Sequence, residues 1–366
     1  MDQVAGHVTN YRNLREFVED DAEVEATWGE VSYYVPGGRI ERTHERVLPF
    51  VPGYFSGNAR GVVEMRRGLR ARPVDALFSN TAVSVFFTRP LGRTPTLYDY
   101  DSTPLQLDAM PEYTPKPDPR PVRKLKFELT RRLLHGVALN QAWTTWAKRS
   151  AVEDYGVPAE RVVVNPPGID LRLWRHLERA PHDAGAGRPL RVLFVGNDFG
   201  RKGGDLLLGW ASMQDPAAVE LHVVSANGPE ARPGVRVHRG LEPNSPELLA
   251  LYRDADVFAL PSRAECFGIA TIEAMATGLP VVASDSGGTA DIVEDGANGL
   301  IVPAGDGPAL GRALDVLLTD ANRRAAWGAR SRQLVEERFD LRSNGKRTLD
   351  LLKALATGDH QGQRSE

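Results

Sequence analysis

The sequence is poor in the residues that support disulfide, metal or membrane chemistry. One cysteine, Cys266, occurs in 366 residues, which excludes an intrachain disulfide framework and any multi-cysteine metal site. No apolar run reaches the roughly 18 residues that span a bilayer. The opening residues MDQVAGHVTN lack the basic and apolar regions of a signal peptide. We therefore expect a cytoplasmic protein in a reducing compartment.

The chain also lacks a strong excess of charge of either sign. Lys+Arg number 45 and Asp+Glu 48, a formal net charge of -3, so the overall charge predicts no nucleic-acid partner. Lysine is scarce, with 7 residues against 38 arginines, and Lys202 is isolated between Lys148 and Lys346. Because the chain otherwise uses arginine for its surface charge, Lys202 is a candidate for a role that requires a compact ammonium group. Chance placement is the alternative.

Length and hydrophobic pattern together predict two α/β domains. The 366 residues correspond to about two domains of roughly 150 residues each. Short β-rich runs alternate with helix-period segments, as in parallel α/β layers. The clearest strands lie at 76–78, 161–165, 191–195, 221–224, 235–238, 257–260 and 281–284, and the clearest helices at 205–213, 246–253, 269–276 and 308–318. The second half is therefore predicted to be doubly wound.

Domain boundaries follow from composition. The stretch 178–191 is polar, rich in Gly, Pro and Ala, and without a strong period, which is typical of a linker. We expect an N-terminal domain at 1–180 and a C-terminal domain at 188–340. A final helix at 341–358 is expected to pack back toward the first domain.

The most informative stretch runs from Asp256 to Pro280, where a strand, a loop containing Gly268 and a helix follow one another. Ligands collect at the carboxyl ends of parallel strands, and a helix that begins there offers free N–H groups and a positive dipole end to an anion. Glu265 lies in this loop and Glu273 in the helix. Carboxylates have paired acceptor oxygens, which suit the hydroxyl groups of a sugar or a ribose diol.

A second strand runs into a glycine-rich turn that carries Arg201 and Lys202 and then opens a helix. Two cations among small residues suit a pyrophosphate whose charge grows as it leaves. The glycines at 196, 200, 203 and 204 do not form G-x-G-x-x-G, and Gly200-Arg201-Lys202 is not the end of a P-loop. The nicotinamide and ATP interpretations lose most of their support.

At these residues the sequence resembles the family 4 retaining glycosyltransferases of the GT-B fold. The pattern E-x7-E appears as 265-ECFGIATIE-273, and further matches are 278-GLPVVA, 286-SGG, 298-NGLIV, the turn 165-NPPGID, 146-WAKRS and 154-DYGVP. The resemblance implies two doubly wound Rossmann-like domains that face each other across a cleft. It is strong over 191–305, moderate over 140–175 and weak before that.

The resemblance also implies a reaction. This is a retaining, metal-independent transfer of a hexosyl unit from a nucleotide diphosphate sugar to a hydroxyl acceptor, with no cofactor besides the nucleotide-sugar co-substrate. It implies that Glu265 contacts the donor sugar, Glu273 the ribose, and Lys202 the departing diphosphate. The implied catalytic set is Glu265, Lys202, Arg201, Asp101 and His7. The implied donor-binding set is Gly6, Gly196, Asn197, Arg201, Lys202, Glu265, Phe267, Gly268, Ile269 and Glu273.

One position departs from the commoner family pattern, in which an arginine directly follows the glycine that is Gly196 here. This chain has Asn197 at that position, and Arg201 beside Lys202 is the candidate substitute. Phe267, Gly268 and Ile269 are expected to supply backbone N–H groups near the sugar and the phosphate.

The first half is harder to interpret. The segment 6–9, GHVT, resembles the glycine turn after the first strand of such enzymes. A first strand of about five residues would then have to occupy the whole of Met1 to Ala5, with no residue before it in this sequence. Either the true start lies upstream, which we favour, or the first strand is missing. Asp101 is expected at the carboxyl end of a strand, facing the cleft; a helix N-cap is the alternative role. For His7 the alternative is a surface histidine without chemistry.

Other functions remain open at this point. A metal-dependent enzyme of another fold would need a D-x-D motif, and the candidates are Asp99-Tyr-Asp101 and Asp254-Ala-Asp256. A sugar-nucleotide epimerase would convert its substrate without an acceptor, and a non-catalytic sugar-nucleotide-binding protein would bind without turnover. The sequence does not identify the nucleotide base, the sugar, the linkage, the acceptor or the oligomeric state; carbohydrate, lipid-linked and small-molecule acceptors all fit.

A basic segment at 123–133 carries a hypothesis about location. Its lysines and arginines could attach the protein peripherally to the cytoplasmic face of the inner membrane, with Leu125, Phe127, Leu129 and Leu133 as apolar contacts. The alternative is a solvated helix face of the first domain.

Overall fold

The structure, a computed structural model, describes residues 6–30, 42, 54–80, 94–175 and 187–358. Among these residues the helices are α1 (Gly6–Glu19), α2 (Tyr54–Ala71), α3 (Pro104–Asp108), α4 (Arg120–Gly136), α5 (Thr145–Glu153), α6 (Gly204–Ala211), α7 (Pro246–Asp254), α8 (Ile269–Ala276), α9 (Thr289–Ile292), α10 (Gly307–Leu318), α11 (Ala321–Arg338) and α12 (Leu341–Thr357). The strands are β1 (Leu77–Ser79), β2 (Thr96–Tyr100), β3 (Leu139–Ala142), β4 (Val162–Val164), β5 (Leu190–Val195), β6 (Val219–Val224), β7 (Val235–His238), β8 (Val257–Leu260), β9 (Val281–Asp285) and β10 (Gly299–Pro303).

The chain forms two compact units. Of the described residues, the first unit contains those up to Ala109, Lys116–Gly168 and those from Leu341 onward, and the second unit contains Met110–Pro115 and Ile169–Asp340. The chain therefore enters the main part of the second unit after Gly168, earlier than the predicted linker at 178–191. Most of that linker, and the predicted first-strand position at 1–5, lie outside the described residues.

The first unit contains a parallel sheet in the sequential order β1-β2-β3-β4. Strand β2 is buried at every position, and its tyrosines Tyr98 and Tyr100 pack with Leu133 and Leu134 of α4 in one hydrophobic core. A second cluster joins α1 to α12 through Leu14, Val18 and Leu349. Helix α12, the predicted final helix, thus packs within the first unit.

A buried polar network also ties α12 to this sheet. Asn165 donates from Nδ2 to the Thr348 hydroxyl of α12 at 2.9 Å and to the Gln141 side chain at 3.1 Å. Gln141 in turn donates to Asp99 at 2.9 Å, and Trp143 donates to the other oxygen of that carboxylate at 2.8 Å. All five residues are nearly inaccessible to solvent, so the network replaces water for a carboxylate that would otherwise be costly to bury.

The second unit contains a six-stranded parallel sheet in the order β10-β9-β8-β5-β6-β7. The order reverses between β5 and β8, as in doubly wound folds, and the predicted double winding of the second half is confirmed. Ligands bind such sheets outside the carboxyl ends of the strands at this switch point. The loops that follow β5 and β8 are the two loops that the sequence singled out.

Helix α4 does not present the apolar face that was predicted for the basic segment. Phe127 stacks on Tyr155 with ring centroids 4.8 Å apart, and Leu133 is 2% exposed in the core. Of the four predicted apolar contacts, Leu125 is the one that is exposed, at 51%. The prediction of a four-residue membrane contact is wrong, because Leu133 lies in the core and Phe127 packs against that core. In the part of the chain that is described, no helix is both long and apolar enough to cross a membrane.

Candidate functional site

Two loops of the second unit meet at the switch point of its sheet. Lys202, in the turn after β5, forms an ion pair with Glu265, in the loop after β8. The side chains are 16% and 9% exposed, respectively. The Ser262 hydroxyl donates to the same Glu265 oxygen at 3.3 Å, and the Glu265 N–H donates to the Ser286 hydroxyl at 3.0 Å. The carboxylate is therefore held in a single place, with its charge balanced by the one lysine of the second unit's sequence.

Arg201 is fixed next to this pair. Its Nε donates to Asp198 at 3.0 Å, and its Nη1 donates to the Ala264 carbonyl at 2.9 Å and to the Tyr113 hydroxyl at 2.9 Å. The guanidinium carbon lies 4.5 Å from the centre of the Tyr113 ring. Two cations from adjacent positions thus flank the loop that carries Glu265, an arrangement suited to an anion with several oxygens.

Close packing around the pair favours glycine at one position and requires it at a second. A Cβ at Gly196 would lie 3.0 Å from Cγ of Lys202, so the small residue makes room for the lysine stem. Gly287 has φ +57°, and a Cβ there would overlap the carbonyl oxygen of Glu265. The 286-SGG loop therefore approaches the Glu265 loop more closely than any other residue would allow.

Helix α8 begins directly after Gly268, which caps it with φ 93°. The first N–H groups of a helix have no partner within the helix and carry the positive end of its dipole. The ring of Phe267 is buried against Phe339, with centroids 6.0 Å apart. The Phe267 side chain is therefore engaged in packing, and contact of Phe267, Gly268 and Ile269 with a ligand through their backbone N–H groups stays a prediction. Asn197 is exposed, and its carbonyl accepts a hydrogen bond from Ser225.

Glu273 faces inward from α8, and its residue exposure is 5%. The Tyr252 hydroxyl donates to its carboxylate at 2.8 Å. Burial raises the pKa of Glu273 from 4.5 to about 7, while the Tyr252 hydrogen bond acts in the opposite direction. Tyr252 is itself positioned by Trp174, whose ring meets it edge-on at 5.0 Å. This carboxyl group therefore titrates near neutral pH.

The remaining predicted residues, Gly6, His7 and Asp101, belong to the first unit. Gly6 and His7 are the first two residues of α1, and the side chain of His7 lies outside the described residues. Asp101 follows β2 directly, and its carboxylate accepts a hydrogen bond from the Ser102 hydroxyl at 2.9 Å. The N-cap of α3 is Thr103, in a capping box with Gln106, so the alternative role of Asp101 as an N-cap is wrong.

The acidic D-x-D candidates are already engaged by other side chains. Arg188 forms a two-pronged pair with Asp256, at 2.7 and 3.0 Å, and Arg191 pairs with Asp254 at 3.4 Å. Asp99 is held by the network described above. Among residues 6–30, 54–80, 94–175 and 187–358, no three or more His, Cys, Asp or Glu residues are grouped to hold a metal ion.

Sequence reasoning missed several residues of the site. Ser262 and Ser286 hold Glu265, Asp198 holds Arg201, and Tyr252 holds Glu273. Ser286 lies in the matched 286-SGG motif and Asp198 in the glycine-rich turn that carries Arg201, so the sequence around both residues was a usable signal. Tyr113 comes from the first half of the chain, and nothing in the sequence around it indicated a contact with Arg201.

Two family models and several curated proteins match parts of the chain. Residues 230–334 match the family model described as Glycosyl transferases group 1, and residues 19–173 match Glycosyltransferase Family 4. D-inositol 3-phosphate glycosyltransferase of Nocardia farcinica is 36% identical over 206 residues, 50% of this chain and 45% of that protein. The enzyme of the same name from Corynebacterium aurimucosum is 36% identical over 208 residues, 50% and 49%. The chain thus spans about half the length of these curated relatives.

Solved structures resemble the whole chain at low identity. Sucrose-phosphate synthase from Thermosynechococcus elongatus has a TM-score of 0.75 at 20% identity and covers 98% of this chain and 95% of its own. Anabaena HepE in complex with UDP-glucose has a TM-score of 0.68 at 17% identity and covers 96% and 97%. These likenesses establish the fold. Two segments of the chain, 19–173 and 230–334, thus resemble glycosyltransferases, and the chain has the GT-B fold.

Proposed function

We propose that the protein is a retaining, metal-independent glycosyltransferase that moves a hexosyl unit from a nucleotide diphosphate sugar to a hydroxyl acceptor. The observation that carries this proposal is the Lys202–Glu265 ion pair beside Arg201 at the switch point of the second sheet. One cation of the site neutralises a carboxylate, and a second lies at the adjacent position. Such a site suits a ligand that has both an anion and hydroxyl groups.

The donor would rearrange the charges of this site. Its diphosphate competes with Glu265 for the Lys202 ammonium, and hydroxyl groups of the sugar can then donate to the released carboxylate. Arg201 and the first N–H groups of α8 face the same negative charge, which grows as the bond to the sugar breaks. The buried Glu273 carboxylate would accept hydrogen bonds from the ribose hydroxyls.

The resemblance to retaining enzymes supplies the order of bond changes. The bond between the sugar C1 and the diphosphate oxygen breaks, and the acceptor oxygen bonds to C1 from the face that the leaving group vacates. The acceptor proton passes to a diphosphate oxygen. The protein's part is to position the reactants and to stabilise the diphosphate charge. Asp254 and Asp256 already form ion pairs with arginines. We therefore propose that Lys202 and Arg201 neutralise the diphosphate charge, a role that a metal ion has in other enzymes.

The comparisons guide the choice of ligands. HepE was solved with UDP-glucose, and the curated relatives are named for D-inositol 3-phosphate. The test is a thermal-shift screen of UDP-glucose, UDP-N-acetylglucosamine and GDP-mannose in EDTA. Diphosphate release is then measured with D-inositol 3-phosphate, simple sugars and lipid-linked sugars as acceptors. A donor raises the melting temperature because it binds the folded state alone.

Each rival function has its own outcome in this screen. Conversion of the sugar nucleotide without an acceptor would identify an epimerase, and binding without any turnover would identify a sugar-nucleotide-binding protein. Activity that EDTA abolishes and magnesium restores would contradict the metal-independent reaction.

The Lys202→Ala variant tests the leaving-group role directly. We expect its turnover to fall by ~10²-fold or more, because the growing diphosphate charge loses its ammonium partner. Lys346→Ala is the matched control, since that lysine forms an exposed pair with Asp350 on α12. Turnover of Lys202→Ala equal to that of the control would contradict the assignment.

The exposed arc of α4 supports a second proposal, about location. Lys124, Arg131 and Arg132 are exposed there together with Leu125, and Arg131 forms a long, exposed ion pair of 4.0 Å with Glu128. We propose that these three basic residues give a peripheral contact with anionic lipid. Lys126 is not available for it, because it pairs with Asp108 and Asp118.

A further inference from the structure

A short segment from the first half of the chain is part of the second unit. Met110–Pro115 joins that unit, although the residues on both sides of it belong to the first unit. We call this segment the strap. Its residues turn back on themselves, since the N–H groups of Tyr113 and Thr114 both donate to the Met110 carbonyl at 3.0 Å. Prolines at 111, 115, 117 and 119 limit the backbone freedom of the strap and its C-terminal flank.

The two ends of the strap are fixed at one point within the first unit. Lys126 of α4 donates to Asp108, just before the strap, at 2.6 Å, and to Asp118, just after it, at 3.1 Å. The three side chains are about one-fifth exposed or less. One ammonium group therefore closes the base of a loop of about nine residues, which reduces the number of conformations the strap can adopt.

The tip of the strap lies against the candidate site. The Tyr113 hydroxyl accepts a hydrogen bond from Arg201 Nη1 at 2.9 Å, and its ring lies under the guanidinium group at 4.5 Å. Burial and the neighbouring Cys266 and Glu265 raise the pKa of Tyr113 above its usual value. The phenol thus stays neutral and keeps its hydroxyl among the residues proposed to hold the donor.

We propose that Tyr113 is a positioning residue for the donor diphosphate: it holds the Arg201 guanidinium in the orientation that receives the phosphate oxygens. This inference rests on the proposed function. Arginine has several rotatable bonds, and fixing them on binding has an entropic cost. Contacts with Asp198, Ala264 and Tyr113 already restrict the Arg201 side chain before the ligand binds. Tyr113 contributes both a hydrogen-bond acceptor and an aromatic face.

The test measures binding of inorganic pyrophosphate and of UDP in EDTA by isothermal titration calorimetry. The proteins are the parent, Tyr113→Phe, Tyr113→Ala and the control Glu112→Gln. Glu112 lies beside Tyr113 on the strap, and its negative charge acts on Arg263, where it helps to raise the pKa of that guanidinium. We expect Tyr113→Ala to bind pyrophosphate about tenfold more weakly, because it loses a charged hydrogen bond and a cation–π contact. Tyr113→Phe should recover part of that loss, since it keeps the ring, and Glu112→Gln should bind like the parent.

The outcomes separate this inference from the proposed function. Equal affinity of the parent and Tyr113→Ala would overturn the positioning role while leaving the donor site intact. Tighter binding by Tyr113→Ala would also overturn it, because the strap would then compete with the diphosphate. Binding of neither pyrophosphate nor any sugar nucleotide by the folded parent would overturn the proposed function and this inference with it. Melting temperatures of all four proteins verify that the variants fold.

Discussion

Glu273, which we propose binds the donor ribose, also makes the stability of the fold depend on pH. Its carboxyl group is buried in α8 and receives the Tyr252 hydroxyl, and its pKa is raised from 4.5 to about 7 by burial. The folded state therefore holds this proton more tightly than the unfolded chain does. By linkage, the free energy of unfolding contributed by Glu273 is largest at acid pH and falls as the pH rises from about 4.5 to about 7.

We predict that Glu273→Gln flattens this dependence. The glutamine keeps an acceptor for Tyr252 but carries no charge at any pH, so the variant should gain stability relative to the parent between pH 5 and pH 8, on the order of 2 kcal/mol. Urea unfolding at both pH values measures the difference. Glu247→Gln on α7, where the glutamate is exposed, is the control and should follow the parent. Parallel pH profiles for Glu273→Gln and the parent would rule out the linkage.

At the residue scale, the sequence was most informative where chemistry depends on local motifs. Lys202 stood out by its isolation and Glu265 by its loop, and the structure brings the two into an ion pair. Tyr252 and Tyr113 could not be found in the same way, because their partners lie 21 and 88 residues away along the chain. A tyrosine that contacts a distant arginine leaves no periodic signal in its own segment.

Elements were predictable where apolar periodicity dominates. The strands at 235–238 and 257–260 and the helix at 269–276 have the predicted bounds. Strand β3 was missed because its sequence, LNQA, is polar at two consecutive buried positions. Asn140 and Gln141 satisfy these positions by donating to the Leu134 carbonyl and to Asp99. Periodicity arguments read such residues as a loop, and only the tertiary partners explain why they form a strand.

Helix α12 gives a prediction at this scale. The Thr348 hydroxyl accepts from Asn165 and lies 3.3 Å from the Gln141 side-chain oxygen. Thr348→Val keeps the shape but leaves buried amide groups without that partner, so we expect a loss of about 1–3 kcal/mol in the free energy of unfolding. Denaturant unfolding measures it.

Thr357→Val is the control within the same helix, because Thr357 is exposed and its hydroxyl donates to the carbonyls of Lys353 and Ala354 in that helix. If the two valine variants unfolded at the same denaturant concentration, the buried network would not hold α12 in place.

For the molecule as a whole, the distribution of charge is more informative than its sum. A net charge of -3 gives no general attraction to anionic surfaces, so the proposed membrane contact would depend on the local basic arc on α4. Each basic residue near an anionic surface contributes about 1 kcal/mol, and salt screens that attraction. Contact through three such residues and one exposed leucine would be weak and reversible.

We predict that the protein cosediments with phosphatidylglycerol vesicles at low salt and is released at about 0.5 M salt. The double variant Lys124→Gln, Arg131→Gln should lose most of this binding. Vesicles of phosphatidylcholine alone provide the uncharged control. Binding that persists in high salt or in the double variant would point to a different surface of the protein.

The two places where the chain passes into and out of the main part of the second unit are neighbours. The Ile169 N–H donates to the Phe339 carbonyl at 2.7 Å, and Ile169 and Asp340 form a parallel bridge. In topological terms the main part of the second unit is an insertion whose two ends lie side by side, so we expect that residues 169–340 can be exchanged between homologues as one cassette. Such an exchange would leave Tyr113 behind with the recipient. A chimera that changes the donor would therefore need the strap from the same parent as the cassette.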